Sequence, residues 1–166
     1  MRLLWMTLLL FSLINLSLYN KNMFSSDKLI KTNNPVDLTT TSKNENVKTY
    51  FLVMKYSKEY DIPPKYVFRM LKSESGYDGI LHFAYNPFLT SSTGAVGACQ
   101  VMVSTARMIN KENVTKEQLF DTEYNVKTSI KLIKLLYEKY QDWELVFGVY
   151  NTGRPIINSY AIKIAH

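Results

Sequence analysis

From Asn46 to the end of the chain, except over residues 76–98, apolar residues return every three or four positions. That period commits the stretch to helices packed on one another rather than to a sheet. Asn46 can cap a first helix with Val47, Phe51 and Met54 on one face. Asp61-Ile-Pro-Pro64 breaks it, and a proline suits the first turn of the next helix. In that helix Val67, Met70, Leu71 and Glu74 share a face, so a carboxylate lies on the core-facing stripe. Thr115-Lys-Glu-Gln118 has the form of a capping box. Asp121 caps a long helix to about Tyr140, striped by Val126, Ile130, Ile133, Tyr137 and Tyr140. Asp142 caps another, with Leu145, Val146 and Val149 inward and Gly153 at its end. Pro155 opens a last helix carrying Ile156, Ile157, Tyr160 and Ile164. From Gly76 to Ala98 the period is lost, which predicts a long functional loop with room for a small hairpin.

A chain of 166 residues has length for one compact domain and little beyond it. Its single cysteine, Cys99, excludes an internal disulfide and a Cys-rich zinc site. His82 and His166 lack ligand-like spacing. No metal or cofactor is therefore expected, and the core alone must hold the fold. The formal charge is +6, spread without a basic run or a nucleic-acid motif. That excludes nucleic acid as the leading partner and leaves an anionic surface or an acidic polymer such as cell wall.

Residues 1–19 carry one basic residue, Arg2, followed by an uncharged apolar run from Leu3 to Tyr19. This is the pattern of a secretory signal. It is also close to the ~17–25 residues that span a bilayer, and no small-x-small cleavage site follows, which favours a retained membrane anchor. Residues 20–45 are rich in Asn, Ser, Thr, Lys and Asp, lack a period and read as a flexible linker. The expected organisation is an exported domain, residues 46–166, working in the periplasm or cell envelope behind its tether.

Glu74 is the most informative residue of that domain. A carboxyl on the buried face of a helix end loses solvation of its charged form, so its pKa should rise. Held protonated near neutral pH, it can donate a proton to a leaving oxygen, as glycoside cleavage requires. Pairing with a lysine or arginine, or exposure at a frayed helix end, is the plainer reading of the same position.

The residues that follow weigh against the plainer reading. Ser73-Glu74-Ser75 is followed by Asn86-Pro87, Ser91, Gly94-Ala-Val-Gly-Ala-Cys-Gln100-Val-Met102, Asn125 and Tyr150-Asn151-Thr-Gly153. In that order they resemble the soluble lytic transglycosylase family of lysozyme-like, peptidoglycan-cleaving enzymes, over about residues 50–160. Glu74 and Gln100 stand roughly eight residues further apart than in the common pattern, so an insert falls at about 76–85. Cys99, Val103 and Val149 stand where the pattern has Met, Pro and Ala.

The resemblance implies a mainly α, lysozyme-like (α+β) domain with an irregular or small-hairpin loop at its cleft. It implies that Glu74 is the single acid/base, and that the bond between N-acetylmuramic acid and N-acetylglucosamine is cut to leave 1,6-anhydro ends. Ser75, Ser91, Gly94, Gly97, Gln100, Tyr150 and Asn151 would contact the glycan, with the Tyr150 hydroxyl pointing at the acid. Asn125 would hold helices together near the cleft. Asp78, four residues past Glu74, reads as a solvated turn residue, and Cys99 as buried and inert. Two other readings stay open: a goose-type muramidase that uses water, and a non-catalytic peptidoglycan-binding scaffold. By analogy, a short domain behind an apolar segment also resembles enzymes that open local gaps in the wall for secretion machines or phage infection.

Overall fold

The computed structural model describes residues 44–82 and 85–166. The apolar segment 1–19 and the linker as far as residue 43 lie outside the described residues. Among the described residues six α-helices follow in order: α1 (Glu45–Tyr60), α2 (Pro64–Ser75), α3 (Val103–Asn110), α4 (Thr122–Tyr140), α5 (Trp143–Thr152) and α6 (Ser159–Ala165). A 3-10 turn over Gln118–Phe120 precedes α4. Among the described residues, no helix is long and apolar enough to cross a membrane.

The caps explain most of these boundaries. Asp121 accepts the Tyr124 amide at 2.7 Å, and Asp142 accepts those of Glu144 and Leu145 at 2.8 and 3.1 Å. Thr115 and Gln118 exchange the two bonds of a capping box at 2.8 and 3.3 Å. Gly153 ends α5. The cap of α1, by contrast, is Asn44, whose side chain accepts the Asn46 amide at 2.9 Å. Asn46 is instead buried inside the helix, where its amide holds the carbonyl of His82 and so ties α1 to the 76–85 insert.

The buried face of α1 runs through Thr49, Leu52, Val53 and Tyr56, while Met54 is 40% exposed. The apolar face expected over Val47, Phe51 and Met54 is therefore rotated. Polar residues take the inner face because the insert supplies partners: the Tyr85 and Thr49 hydroxyls meet at 3.4 Å, and Tyr77 donates to the Asn46 carbonyl at 3.0 Å.

Val67, Met70 and Leu71 of α2 and Val126, Ile130 and Ile133 of α4 are fully buried and form the centre of the core. The inner face of α5 is Val146, Phe147 and Gly148, one step round from the expected Leu145, Val146 and Val149. Gly148 fixes that rotation: a Cβ there would stand 2.1 Å from the carbonyl oxygen of Ile156, so the returning chain crosses α5 backbone against side-chain-free surface. For the same reason Pro155 does not open the last helix. Residues 154–158 cross in irregular conformation, Ile156 and Ile157 are about half exposed, and α6 starts at Ser159 under an Asn158 cap.

The expected long loop is present, but among the described residues it forms no strand. Its only pairings there are single antiparallel bridges, Thr90 with Val96 and Val96 with Val101. Asn125, buried on α4, supplies what a ladder would have supplied. It accepts from the Cys99 amide at 2.8 Å and donates to the carbonyls of Val96 and Leu119 at 2.8 and 3.0 Å.

Candidate active site

Glu74 is the penultimate residue of α2, on the same face as the buried Val67, Met70 and Leu71. It opens onto a cleft of about 570 Å3. The loop contributes Ser91, Thr93 and Gln100 to the walls, α3 and α4 contribute Met108, Leu132 and Leu136, and the end of α5 contributes Tyr150, Asn151 and Thr152. Among the described residues lining it, Glu74 is the only carboxylate.

Burial raises the Glu74 carboxyl above its ordinary value of 4.5, and a hydrogen bond from the Tyr160 hydroxyl to Oε1 draws it part of the way back. The Tyr160 phenol is itself driven far up by burial and by the neighbouring carboxylate, so it stays a proton donor in that bond. A carboxyl raised by burial and oriented by a fixed donor is equipped to give up a proton and take one back.

The hydroxyl that touches the acid is thus Tyr160's, from α6, and not that of Tyr150. Tyr150 lines the cleft with its ring, but its hydroxyl donates to the Cys99 carbonyl at 2.7 Å and lies 2.8 Å from the Ser129 hydroxyl. The cleft loop and α4 claim the bond that the resemblance assigned to the acid. The signal for Tyr160 was present: a ring with a polar tip stood on the apolar stripe of the last helix, where a side chain reads equally as core.

The structure brings Glu74, Ser91, Gln100, Tyr150 and Asn151 to one cleft. Ser91 is held in its own turn, its Oγ accepting the Ala95 amide at 2.9 Å. Gln100 has φ +50°, and its side chain donates to the Gly97 carbonyl at 2.8 Å. A non-glycine residue there costs about 1 kcal/mol, and such strain gathers at functional sites. Asn151 accepts from the Asn158 side chain at 3.0 Å, which links the end of α5 to the start of α6.

Ser75, Gly94 and Gly97 are not in the cleft wall. The Ser75 hydroxyl returns to the Leu71 carbonyl at 3.2 Å. Gly94 is exposed at the turn tip. Gly97 sits under Asn125, where a Cβ would come within 2.3 Å of its Nδ2, so its lack of a side chain serves packing behind the cleft. Asp78 is exposed and paired with Lys72 at 2.9 Å, outside the cleft. Cys99 is fully buried, and burial pushes its thiol up to about 12.

One desolvated carboxyl on the floor of an open cleft, in a small helical domain, is the arrangement of the lysozyme-like fold. The chain belongs to the transglycosylase SLT domain family, which residues 51–163 match. Solved structures agree on the fold. The 70 kDa soluble lytic transglycosylase from Escherichia coli superposes with a TM-score of 0.55 at 22% identity, over 72% of this chain and 20% of its own. Its complex with bulgecin A gives 0.56 at the same identity and coverage. An inactive mutant of the lytic transglycosylase Slt from Pseudomonas aeruginosa gives 0.54 at 15%, over 65% and 18%. The chain thus spans about a fifth of the length of the solved structures it matches.

Proposed function

We propose that this domain is a peptidoglycan lytic transglycosylase that cuts the bond between N-acetylmuramic acid and N-acetylglucosamine. The observation that carries this reading is Glu74: half-buried at the end of α2, raised by burial, held by Tyr160, and unaccompanied by a second carboxylate among the described cleft residues.

Protonated Glu74 delivers its proton to the glycosidic oxygen as the bond to the anomeric carbon breaks. The carboxylate then accepts the proton of the muramic acid 6-hydroxyl while that oxygen bonds to the same carbon. The ring closes as a 1,6-anhydro sugar, Glu74 is protonated again, and no water is consumed. A two-carboxylate glycosidase needs a partner about 5–9.5 Å from the acid, and Asp78 does not occupy the cleft. Ser91, Gln100, Asn151 and the ring of Tyr150 are the glycan-contacting groups of this reading. On it the domain works outside the cytoplasm, with residues 3–19 as signal or anchor.

Mass spectrometry of products released from peptidoglycan tests the reaction. Products one water lighter than reducing muropeptides are expected, and Glu74→Gln should lower their release at least ~100-fold, the ordinary scale of an acid/base group. Reducing products would turn the reading to a muramidase, and undiminished release by Glu74→Gln would overturn the role of Glu74.

A further inference from the structure

At the far end of α2 and α5 from the cleft lies a second cavity, of about 530 Å3. It is bounded by the end of α1, the turn from Asp61 to Pro64, and the junction of α4 with α5. Pro64 begins α2 here, and Glu74 stands ten residues along the same helix, about 15 Å away. Likewise Trp143 begins α5 at this cavity, and Tyr150 is at its cleft end.

Three aromatic rings make one wall of it rigid. Trp143 is held between Tyr66 and Tyr137, with ring centres at 4.2 and 4.1 Å, and Tyr137 ends the stack. Ile62, Pro63 and Pro64 add apolar surface. Against this wall stand three polar groups without partners among the described residues. Lys58 and Asp61 are exposed and enter no ion pair or side-chain hydrogen bond there. Ser57 is 3% exposed, and its buried hydroxyl has no hydrogen-bond partner.

An unmade bond on a buried hydroxyl is uncommon and costs on the order of 1–3 kcal/mol, so this combination has to be explained. Flat apolar surface beside exposed groups of both charges restricts the ligand. An anion would meet Asp61, and a wholly apolar ligand would strip water from both charges and leave Ser57 unpaired. A neutral ring with one apolar face and hydroxyl or amide groups on its edge satisfies all of them. We propose that this cavity is a second carbohydrate site, which takes an uncharged pyranose unit, its carbon face on Tyr137 and its polar edge at Lys58, Asp61 and Ser57.

The choice of sugar rests on the glycan reading of the cleft, and the test separates the two. The full chain carrying Glu74→Gln is titrated calorimetrically with tetra-N-acetylchitotetraose. Two binding sites per chain are expected, reduced to one by Tyr137→Ala and by Lys58→Ala, the latter an exposed residue whose loss leaves the core intact. Retention on insoluble peptidoglycan should fall about fivefold in both variants, the loss of roughly one weak contact. No binding, or binding left unchanged by both variants at one site or at two, would overturn the second site, whereas a single site lost in both variants would uphold it and count against the cleft reading instead. The titration requires no turnover, so it judges the cavity even if the unmodified protein releases nothing from peptidoglycan, a result that would count against the cleft reading instead.

Discussion

In the proposed reaction Glu74 and Tyr160 form the pair on which the chemistry turns, and on that reading both the rate and the stability of the domain depend on pH. As the proton donor, Glu74 must be protonated when substrate binds, so activity falls as pH rises through its raised pKa. Tyr160 lowers that pKa through its hydrogen bond. Tyr160→Phe should therefore move the alkaline limb of the rate profile to higher pH, and lower the maximum about tenfold through lost positioning of the acid. A limb that stays put or moves down would separate Tyr160 from the acid. Stability changes in the same direction. A carboxyl raised by folding binds its proton more tightly in the folded chain, so its cost is absent well below 4.5 and grows until its folded pKa is passed. Denaturation of Glu74→Gln should show the variant at least as stable as the unmodified protein at neutral pH, with the difference closing toward pH 4.5. The sequence placed Glu74 because position on a helix face is local. Tyr160 lies 86 residues away, and no period in either helix links the two.

At the scale of elements, a loop without a strand is kept in shape by one side chain of a helix. Asn125 on α4 satisfies one amide and two carbonyls from two chain segments, the cleft loop and the 3-10 turn, all buried. Asn125→Ala should destabilise the domain by about 2–4 kcal/mol, because those groups are left without partners. Chemical denaturation measures the loss, and hydrogen exchange should show it concentrated at residues 95–101. The expectation for Asn125 was that it holds helices together near the cleft, whereas its hydrogen bonds tie the loop and the 3-10 turn to α4. The bent path from Gly153 to Ser159 was not foreseen. A proline normally marks the first turn of a helix, but here Ile156 is drawn across Gly148 before the helix can begin.

For the molecule as a whole, the question is where the folded domain starts. Periodicity sets the boundary at Asn46, whereas the structure begins the helix two residues earlier, in what composition reads as linker. Asn44 caps α1, and Glu45 accepts the hydroxyl of the buried Thr122 at 2.6 Å, joining α1 to α4. A protein starting at Asn44 should unfold in one transition. One starting at Asn46 should be less stable by about 1–2 kcal/mol, the worth of a cap and a buried hydrogen bond. Equal midpoints for the two would show that neither contact matters to the domain.

The sequence by itself determined that the domain is mainly helical and that Glu74 lies on the inward face of its helix. Caps at Asp121 and Asp142, the break at Pro63-Pro64 and the stripe ending in Glu74 are encoded within a few residues of where they act. Only the tertiary structure decided which hydroxyl meets the acid, which face of α1 and α5 turns inward, and where α6 begins. Those outcomes depend on how helices cross and how closely backbones approach, as at Gly97 and Gly148, where a single Cβ would collide with a segment distant in the chain. Local patterns carry no record of such partners, because the energy that selects them comes from burial shared between remote segments.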